Sequence, residues 1–222
     1  TLSSSSAASD VYKRQGFEAS RGSDFHSPIE SHADLGYAPV LPDSVVPVGT
    51  DGKLVVHPVQ PQRRLLEQAA ALLRGGALGV IATDAGYALA CRLEDKAAVD
   101  RLRAIRQIDD RHLLTLLCRD LSELSHYAQV DNQQYRFLKR WTPGTYTFVL
   151  PATREVPRRL AHPSRKTVGM RVPDHPVPLA LLEALGQPLL ASTLRMPNED
   201  ETLADPDDIE ERPVSYTHLR AN

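Results

Sequence analysis

Two hydrophobic patterns alternate along the chain and predict strands and helices in turn. The run from Ala77 to Ala82 is short and apolar, as expected for a strand that is buried on both faces. Between Gln60 and Arg74, by contrast, leucine and alanine recur at helical spacing, and Gly75 with Gly76 ends the helix. Together the patterns predict strands over 54–57, 77–82, 87–91, 113–118, 145–150, 167–172 and 189–194, and helices over 60–74, 96–105, 121–127, 132–140 and 177–185.

The order of these elements predicts an α/β domain. Strands and helices alternate without an internal repeat, which favours a twisted, open, mixed sheet with helices on its faces, and Asp95, Asp120 and Asp131 are predicted N-caps. With 222 residues, of which 41% are hydrophobic, the chain is long enough for one substantial core, and we expect one domain. No apolar run reaches the ~18 residues of a membrane helix and no signal-peptide pattern opens the sequence, so we expect a soluble, cytoplasmic protein.

Both ends of the sequence read as translated sequencing-adapter DNA. The residues Asp10 to Gln15 can be encoded by gat gtg tat aag aga cag, and the reverse complement of that DNA encodes, in another frame, the residues Val214 to His218. We therefore divide the chain into adapter-derived residues 1–15 and 214–222, a disordered or upstream segment over 16–53, and a domain over 54–213 that is truncated at its C-terminus.

Charge is unevenly distributed along the chain. The formal net charge of -2 excludes a globally basic nucleic-acid-binding protein, but Arg101–Arg171 contains 14 Lys and Arg against 6 Asp and Glu, whereas Val172–Pro213 contains 2 against 10. Five basic residues cluster in the middle of the chain: Arg154, Arg158, Arg159, Arg165 and Lys166. This cluster is either a solvated surface or a contact for RNA phosphates. Cys91 and Cys118 lie in apolar segments without metal-ligand spacing, which suits a reducing compartment and predicts no metal site.

Polar side chains follow several predicted strands at the point where the apolar run stops. They are Thr83 with Asp84, Tyr87 after Gly86, Arg106 and His112 near the loop before the strand over 113–118, Thr167 with Arg171, and Ser192 and Thr193 with Arg195. Small ligands commonly bind at strand ends in α/β sheets. Hydroxyl and guanidinium groups together suit an anionic, oxygen-rich ligand, because arginine binds carboxylate or phosphate through two parallel N–H donors.

No pattern in the sequence indicates a protein nucleophile. A Ser-His-Asp order, a P-loop and a glycine-rich dinucleotide fingerprint are all missing from it. Catalysis at the strand ends would therefore rest on positioning and charge. Each candidate also has a structural interpretation: Arg171 as a surface salt-bridge partner, Arg106 as a helix-terminal arginine, His112 as a loop residue, and Tyr87 with Trp141 as packing residues.

Four ordered motifs resemble a known family. They are Ala-Thr-Asp-Ala-Gly-Tyr-Ala-Leu over 82–89, Trp-Thr-Pro-Gly-Thr-Tyr-Thr-Phe-Val-Leu over 141–150, Val-Gly-Met-Arg-Val-Pro-Asp-His-Pro over 168–176 and Leu-Leu-Ala-Ser-Thr over 189–193. They resemble the YrdC-like threonylcarbamoyl-AMP synthase family, most closely its YciO branch. The resemblance implies a YrdC-like (DHBP synthase-like) fold, in which a twisted, open sheet surrounds a concave, basic cavity.

The same resemblance implies a reaction. In that reaction L-threonine, bicarbonate and ATP, with Mg²⁺ assisting, give threonylcarbamoyl-AMP and pyrophosphate, the first step of the tRNA modification t6A. ATP is thus implied as a substrate, and no permanently bound cofactor is implied. The main alternative is a module that binds double-stranded RNA or tRNA through its basic surface without catalysis. An affinity for RNA that falls steeply as the salt concentration rises, and that does not change when free ATP is added, would favour the RNA-binding interpretation.

The family's signature residues are only partly present. Its Lys-x-Arg signature corresponds to Arg106 and Ile108, its Ser-x-Asn signature to Thr193 and Arg195, and its threonine-contacting hydroxyl to Ala85. One cation and one hydroxyl are therefore kept, while a guanidinium, an amide and a hydroxyl are lost. Losing a charged partner in a phosphate site costs about 2 kcal/mol, so these changes predict a weak or divergent nucleotidyltransferase.

Overall fold

Strands and helices alternate in the structure as the apolar pattern predicts. The computed structural model describes residues 18–21, 44–48 and 54–194, and all elements named below lie in these ranges. The strands are β1 (Glu18–Arg21), β2 (Ser44–Val48), β3 (Leu54–Val55), β4 (Leu78–Thr83), β5 (Gly86–Arg92), β6 (Thr115–Leu117), β7 (Tyr146–Pro151), β8 (Thr167–Arg171) and β9 (Leu189–Thr193). The helices are α1 (Arg63–Arg74), α2 (Lys96–Arg106), α3 (Leu121–Tyr127), α4 (Asn132–Trp141) and α5 (Pro176–Leu185).

The described strands form one mixed sheet in the order β1-β7-β8-β6-β9-β5-β4-β2-β3. Among them β6 and β8 pair in parallel, and the other neighbouring pairs are antiparallel. The predicted mixed, open sheet is therefore confirmed. β1 and β2 lie within the range 16–53; the rest of that range and the predicted adapter-derived ends lie outside the described residues, and their assignment stays a prediction.

The sheet separates two hydrophobic cores. Side chains alternate between the two faces of a strand, so Val80 of β4 joins one core and the adjacent Ile81 joins the other. The first core includes Leu102 of α2 together with residues of α3 and α4, and the second includes Leu66 of α1 and Leu181 of α5. Helices therefore cover both faces, which explains why the central strands read as continuous apolar runs.

The predicted N-caps are confirmed. The Asp95 carboxylate accepts a hydrogen bond from the N–H of Ala98 at 2.9 Å, and Asp120 caps α3 in the same way. Asp131 forms a reciprocal capping box with Gln134 at the start of α4. These caps fix where the helices begin and hence where the loops between strands and helices lie.

Several predicted boundaries differ from the structure; the strand predicted over 54–57, for example, ends at Val55. α1 begins at Arg63 rather than at residue 60, because His57 Nδ1 accepts hydrogen bonds from the N–H groups of Val59 and Gln60 and holds them in a turn. β6 is shorter than predicted, although Cys118 still donates from its backbone to Arg171 at 2.8 Å.

Among the described helices, none combines the length and hydrophobicity needed to cross a bilayer.

Candidate functional site

Three adjacent strands bring predicted site residues to one edge of the sheet. Thr83 ends β4, and in the register of the sheet it lies opposite Gly86, next to Tyr87 of β5. Thr193 ends β9 and lies opposite Ala88. The Thr83 and Thr193 strand ends are thus separated by a single strand, and Tyr87 lies between them.

The Thr83 hydroxyl is held in a fixed orientation. Its Oγ1 donates to the carbonyl oxygen of Gly86 at 2.6 Å and accepts from the N–H of Ala85 at 3.2 Å. Gly86 has a φ of 106°, a backbone conformation that favours glycine. Because Thr83 is buried and its proton is directed at Gly86, its remaining lone pair is suited to accept from a ligand donor.

Arg106 reaches the same edge from the end of α2. Its Nε donates to Ser192 Oγ at 3.1 Å, and both residues are 8% exposed. This contact places a guanidinium beside the Ser192 hydroxyl, whereas Thr193, the next residue of the strand, points to the opposite face of the sheet. Of the predicted site residues, the structure thus brings Arg106 and Ser192 into direct contact.

Arg171 forms a buried ion pair with Asp84. Its Nη2 donates to Asp84 Oδ1, and its Nε donates to the carbonyl oxygen of Gly144 at 3.2 Å. The two side chains are 7% and 11% exposed. Burial lowers the pKa of Arg171 below its ordinary value, and the Asp84 carboxylate opposes that shift. Arg171 thus has an ion-pair partner, but the pair is buried and not at the surface, and it connects the end of β8 to the residue after Thr83.

The remaining candidates are less closely connected. Thr167 begins β8, and its Oγ1 is buried without a hydrogen-bond partner among the described residues. His112 is half-buried in the loop before β6, where its backbone N–H donates to Asp109 Oδ1 at 3.0 Å. Arg195 lies outside the described residues. No group of three or more His, Cys, Asp or Glu in the described part of the chain is placed to hold a metal ion.

A surface cleft adjoins the Asp84–Arg171 pair. Its volume is about 330 Å³, and its walls are Asp84, Arg140, Trp141, Pro143, Gly144, Thr145, Tyr146 and Asp174. Of the polar strand-end residues named from the sequence, Asp84 is the one that lines it among the described residues. The motif over 141–150 supplies most of the wall, but the sequence alone does not reveal a cleft, because Asp84 and Asp174 come from distant parts of the chain.

Comparison with known proteins places the chain in a family. The family model Sua5_yciO_yrdC, described as telomere recombination, matches residues 71–217. The chain belongs to this family. YciO of Escherichia coli (strain K12) is 53% identical to the chain over 157 residues, which are 71% of this chain and 76% of that protein. The crystal structure of E. coli YciO matches over the same shares with a TM-score of 0.68.

The synthase members of the Sua5/YciO/YrdC family are more distant. A threonylcarbamoyl-AMP synthase of Chromobacterium violaceum is 33% identical over 137 residues, covering 61% of this chain and 70% of that protein. The crystal structure of P. abyssi Sua5 complexed with L-threonine is 26% identical with a TM-score of 0.55, covering 61% of this chain and 40% of that chain. The predicted resemblance to the family, and to its YciO branch in particular, is confirmed.

Asp84 is the residue whose role sequence reasoning missed. Its position after Thr83 marks it as a polar strand-end residue, but its partner Arg171 lies 87 positions away in the sequence. Gly144, in the motif over 141–150, is a second such residue, because its carbonyl oxygen accepts from Arg171. The available signal was the pairing of an acid in the first family motif with an arginine in the third.

Proposed function

We propose that the chain binds a nucleotide and a small amino acid at the ends of β4, β5 and β9, and that it forms an aminoacyl-carbamoyl adenylate. By analogy with the synthases of the family, the substrates are ATP, L-threonine and bicarbonate. The observation that carries the proposal is that Thr83 and Thr193 lie at the ends of β4 and β9, one strand apart, and that Arg106 donates to Ser192 beside the end of β9.

The proposed chemistry needs charge and orientation rather than a protein nucleophile. The threonine amine and bicarbonate give a carbamate and water; a carbamate oxygen then attacks the α-phosphorus of ATP, and the bond to pyrophosphate breaks. Negative charge accumulates on the phosphate oxygens during this step, and a buried guanidinium stabilises it more strongly than one in water. Arg106 is the described residue that suits this role, with Thr83 and Thr193 orienting polar groups.

The Asp84–Arg171 pair favours a weak or specialised activity. Arg171 was predicted to bind an anion, but its guanidinium is neutralised by Asp84 in this structure. In the proposal, Arg106 is then the main described residue that attracts an anion at the strand ends. In the proposal Mg²⁺ arrives with the nucleotide, because this ion is commonly held by substrate phosphates and water rather than by a dedicated protein cage.

Pyrophosphate release tests the proposal. The chain is incubated with ATP, Mg²⁺ and bicarbonate, with and without L-threonine, and pyrophosphate is measured over time. We expect release that depends on threonine, and a loss of about tenfold or more in Arg106→Gln, because removing a charged hydrogen-bonding group costs about 1.5–3 kcal/mol. Arg136→Gln, on the exposed side of α4, is the matched control and should leave the rate unchanged.

A second pair of variants examines the hydroxyls. Thr193→Val keeps the shape of the side chain and removes one hydroxyl at the predicted site, whereas Thr147→Val makes the same change in β7, outside it. Only Thr193→Val should lower threonine-dependent turnover. Equal effects of the two variants on turnover, or pyrophosphate release that does not depend on threonine, would count against the assigned site.

RNA binding is a second candidate because one basic segment is exposed. Arg154, Arg158, Arg165 and Lys166 all lie on the surface, in the segment between β7 and β8. Binding through phosphate contacts would weaken steeply with rising salt and would be insensitive to ATP. A transfer RNA that binds with this salt dependence, in the absence of threonine-dependent turnover, would favour this function over the synthase reaction.

A further inference from the structure

The cleft beside the Asp84–Arg171 pair has the composition of a ligand site of its own. We call it the Trp141 cleft; it is lined by the eight residues given above and has a volume of about 330 Å³. It shares no lining residue with the proposed nucleotide site, so an occupant of this cleft goes beyond the proposed function. Its chemistry is set by two carboxylates, two aromatic rings and one arginine.

Asp84 offers the cleft an acceptor that the protein does not use. Its Oδ1 accepts from Arg171, while Oδ2 is buried and has no hydrogen-bond donor among the described residues. A desolvated carboxylate oxygen without a donor costs free energy, and the cost is larger because the group is charged. A donor that enters the cleft would recover this energy, and a positively charged donor would recover more than a neutral one.

The aromatic wall also favours a cation. The rings of Trp141 and Tyr146 meet edge to face with their centroids 5.6 Å apart. The guanidinium carbon of Arg140 lies 6.0 Å from the centre of the Trp141 ring, so the face of this ring already accommodates a positive charge. Asp174, a second carboxylate in the lining, is exposed.

We propose that the Trp141 cleft binds an organic cation, that is, an ammonium group on a small apolar body. Asp84 and Asp174 accept hydrogen bonds from the charged group, and the rings of Trp141 and Tyr146 contact the apolar part. The negative charge of Asp84 gives the cleft its preference for a cation. Without that charge, the guanidinium of Arg171, which lies on the other carboxylate oxygen of Asp84, would favour an anion.

Intrinsic fluorescence provides a direct assay. Trp141 is the sole tryptophan of the chain, so its emission reports on this cleft without interference from another indole. The full chain is titrated with butylammonium chloride, with butan-1-ol as the uncharged probe of equal chain length and with sodium chloride at the same ionic strength. The titrations are repeated with Asp84→Asn, Asp174→Asn and the control Asp100→Asn, whose exposed carboxylate pairs with Lys96 on α2.

The expected result is a saturable change with butylammonium that neither butanol nor sodium chloride reproduces. Asp84→Asn and Asp174→Asn should each weaken it about tenfold, the loss of one charge-assisted hydrogen bond, and Asp100→Asn should leave it unchanged. Asp174 is exposed, so its variant stays folded even if Asp84→Asn does not, and circular dichroism checks both. No saturable change, an equal response to butanol, or unchanged affinity in Asp174→Asn would overturn the proposal.

Discussion

The Asp84–Arg171 pair makes a quantitative prediction about stability. Both side chains are about nine-tenths buried, and Arg171 also donates to Gly144. Replacing Asp84 by Asn removes the negative charge and leaves a desolvated guanidinium without its counter-ion. Loss of one partner of a buried pair costs about 3–5 kcal/mol, and since Asn still offers an acceptor oxygen we expect the lower end, about 3 kcal/mol.

Urea denaturation measures this cost. With a slope of about 2 kcal/mol per molar urea, a loss of about 3 kcal/mol lowers the unfolding midpoint by about 1.5 M. Arg171→Met should be destabilising by a similar amount, because it leaves the Asp84 carboxylate buried alone. In the Arg171→Met background, however, Asp84→Asn should be neutral or stabilising, since it removes that unpaired charge.

A surface pair is the control for this cycle. Lys96 and Asp100 lie 3.3 Å apart with side chains that are 75% and 58% exposed, so their coupling should stay near ~0.5 kcal/mol. Additive effects of Asp84→Asn and Arg171→Met would refute the reasoning, because they would show that the two charges do not depend on each other. A cost below ~1 kcal/mol for each single variant would refute it as well.

Three further predictions follow from local geometry. Gly169→Ala should lower the free energy of unfolding by about 1–3 kcal/mol in urea, because a Cβ there would lie 3.0 Å from Thr115 Oγ1 between β6 and β8; a neutral effect would contradict this packing. Burial raises the pKa of the Cys91 thiol from 9.0 to about 12, so the unfolded chain loses its proton first and stability should fall as pH rises from about 9 towards 12; a Cys91→Ala variant that keeps the same slope would disprove the assignment. Asp131→Ala should destabilise the chain by about 1 kcal/mol through loss of the capping box with Gln134, whereas Asp131→Asn should retain most of the stability in the same urea assay.

Local patterns predict the elements well because they depend on neighbours in the sequence. The apolar run before Thr83 and the Asp95 cap identify β4 and α2 to within one or two residues. The same holds for the strand that ends at Thr193, whose residues face a core on both sides. Helix starts are harder to predict where a side chain such as His57 holds a turn just before the helix.

Contacts between distant residues could not be read from the pattern. The parallel pairing of β6 with β8, and the pair between Asp84 and Arg171, join segments that are tens of residues apart. The sequence analysis predicts that Arg171 binds a ligand, because an arginine at a strand end suits an anion. In the structure Arg171 is buried beside Asp84 and pairs with that carboxylate instead. The sheet order β9-β5-β4, which puts the strand ends of Thr83 and Thr193 near each other, and the contact of Arg106 at the end of α2 with Ser192 are likewise long-range features.

Calorimetric titration tests the central claim most directly, namely that the ends of β4, β5 and β9 form one site for a nucleotide and an amino acid. The chain is titrated with ATP and Mg²⁺ in bicarbonate buffer, with and without L-threonine. We predict saturable binding that threonine strengthens and that Arg106→Gln weakens about tenfold or more while Arg136→Gln does not. The absence of any binding heat, or equal affinity in the Arg106 variant and its control, would contradict the account.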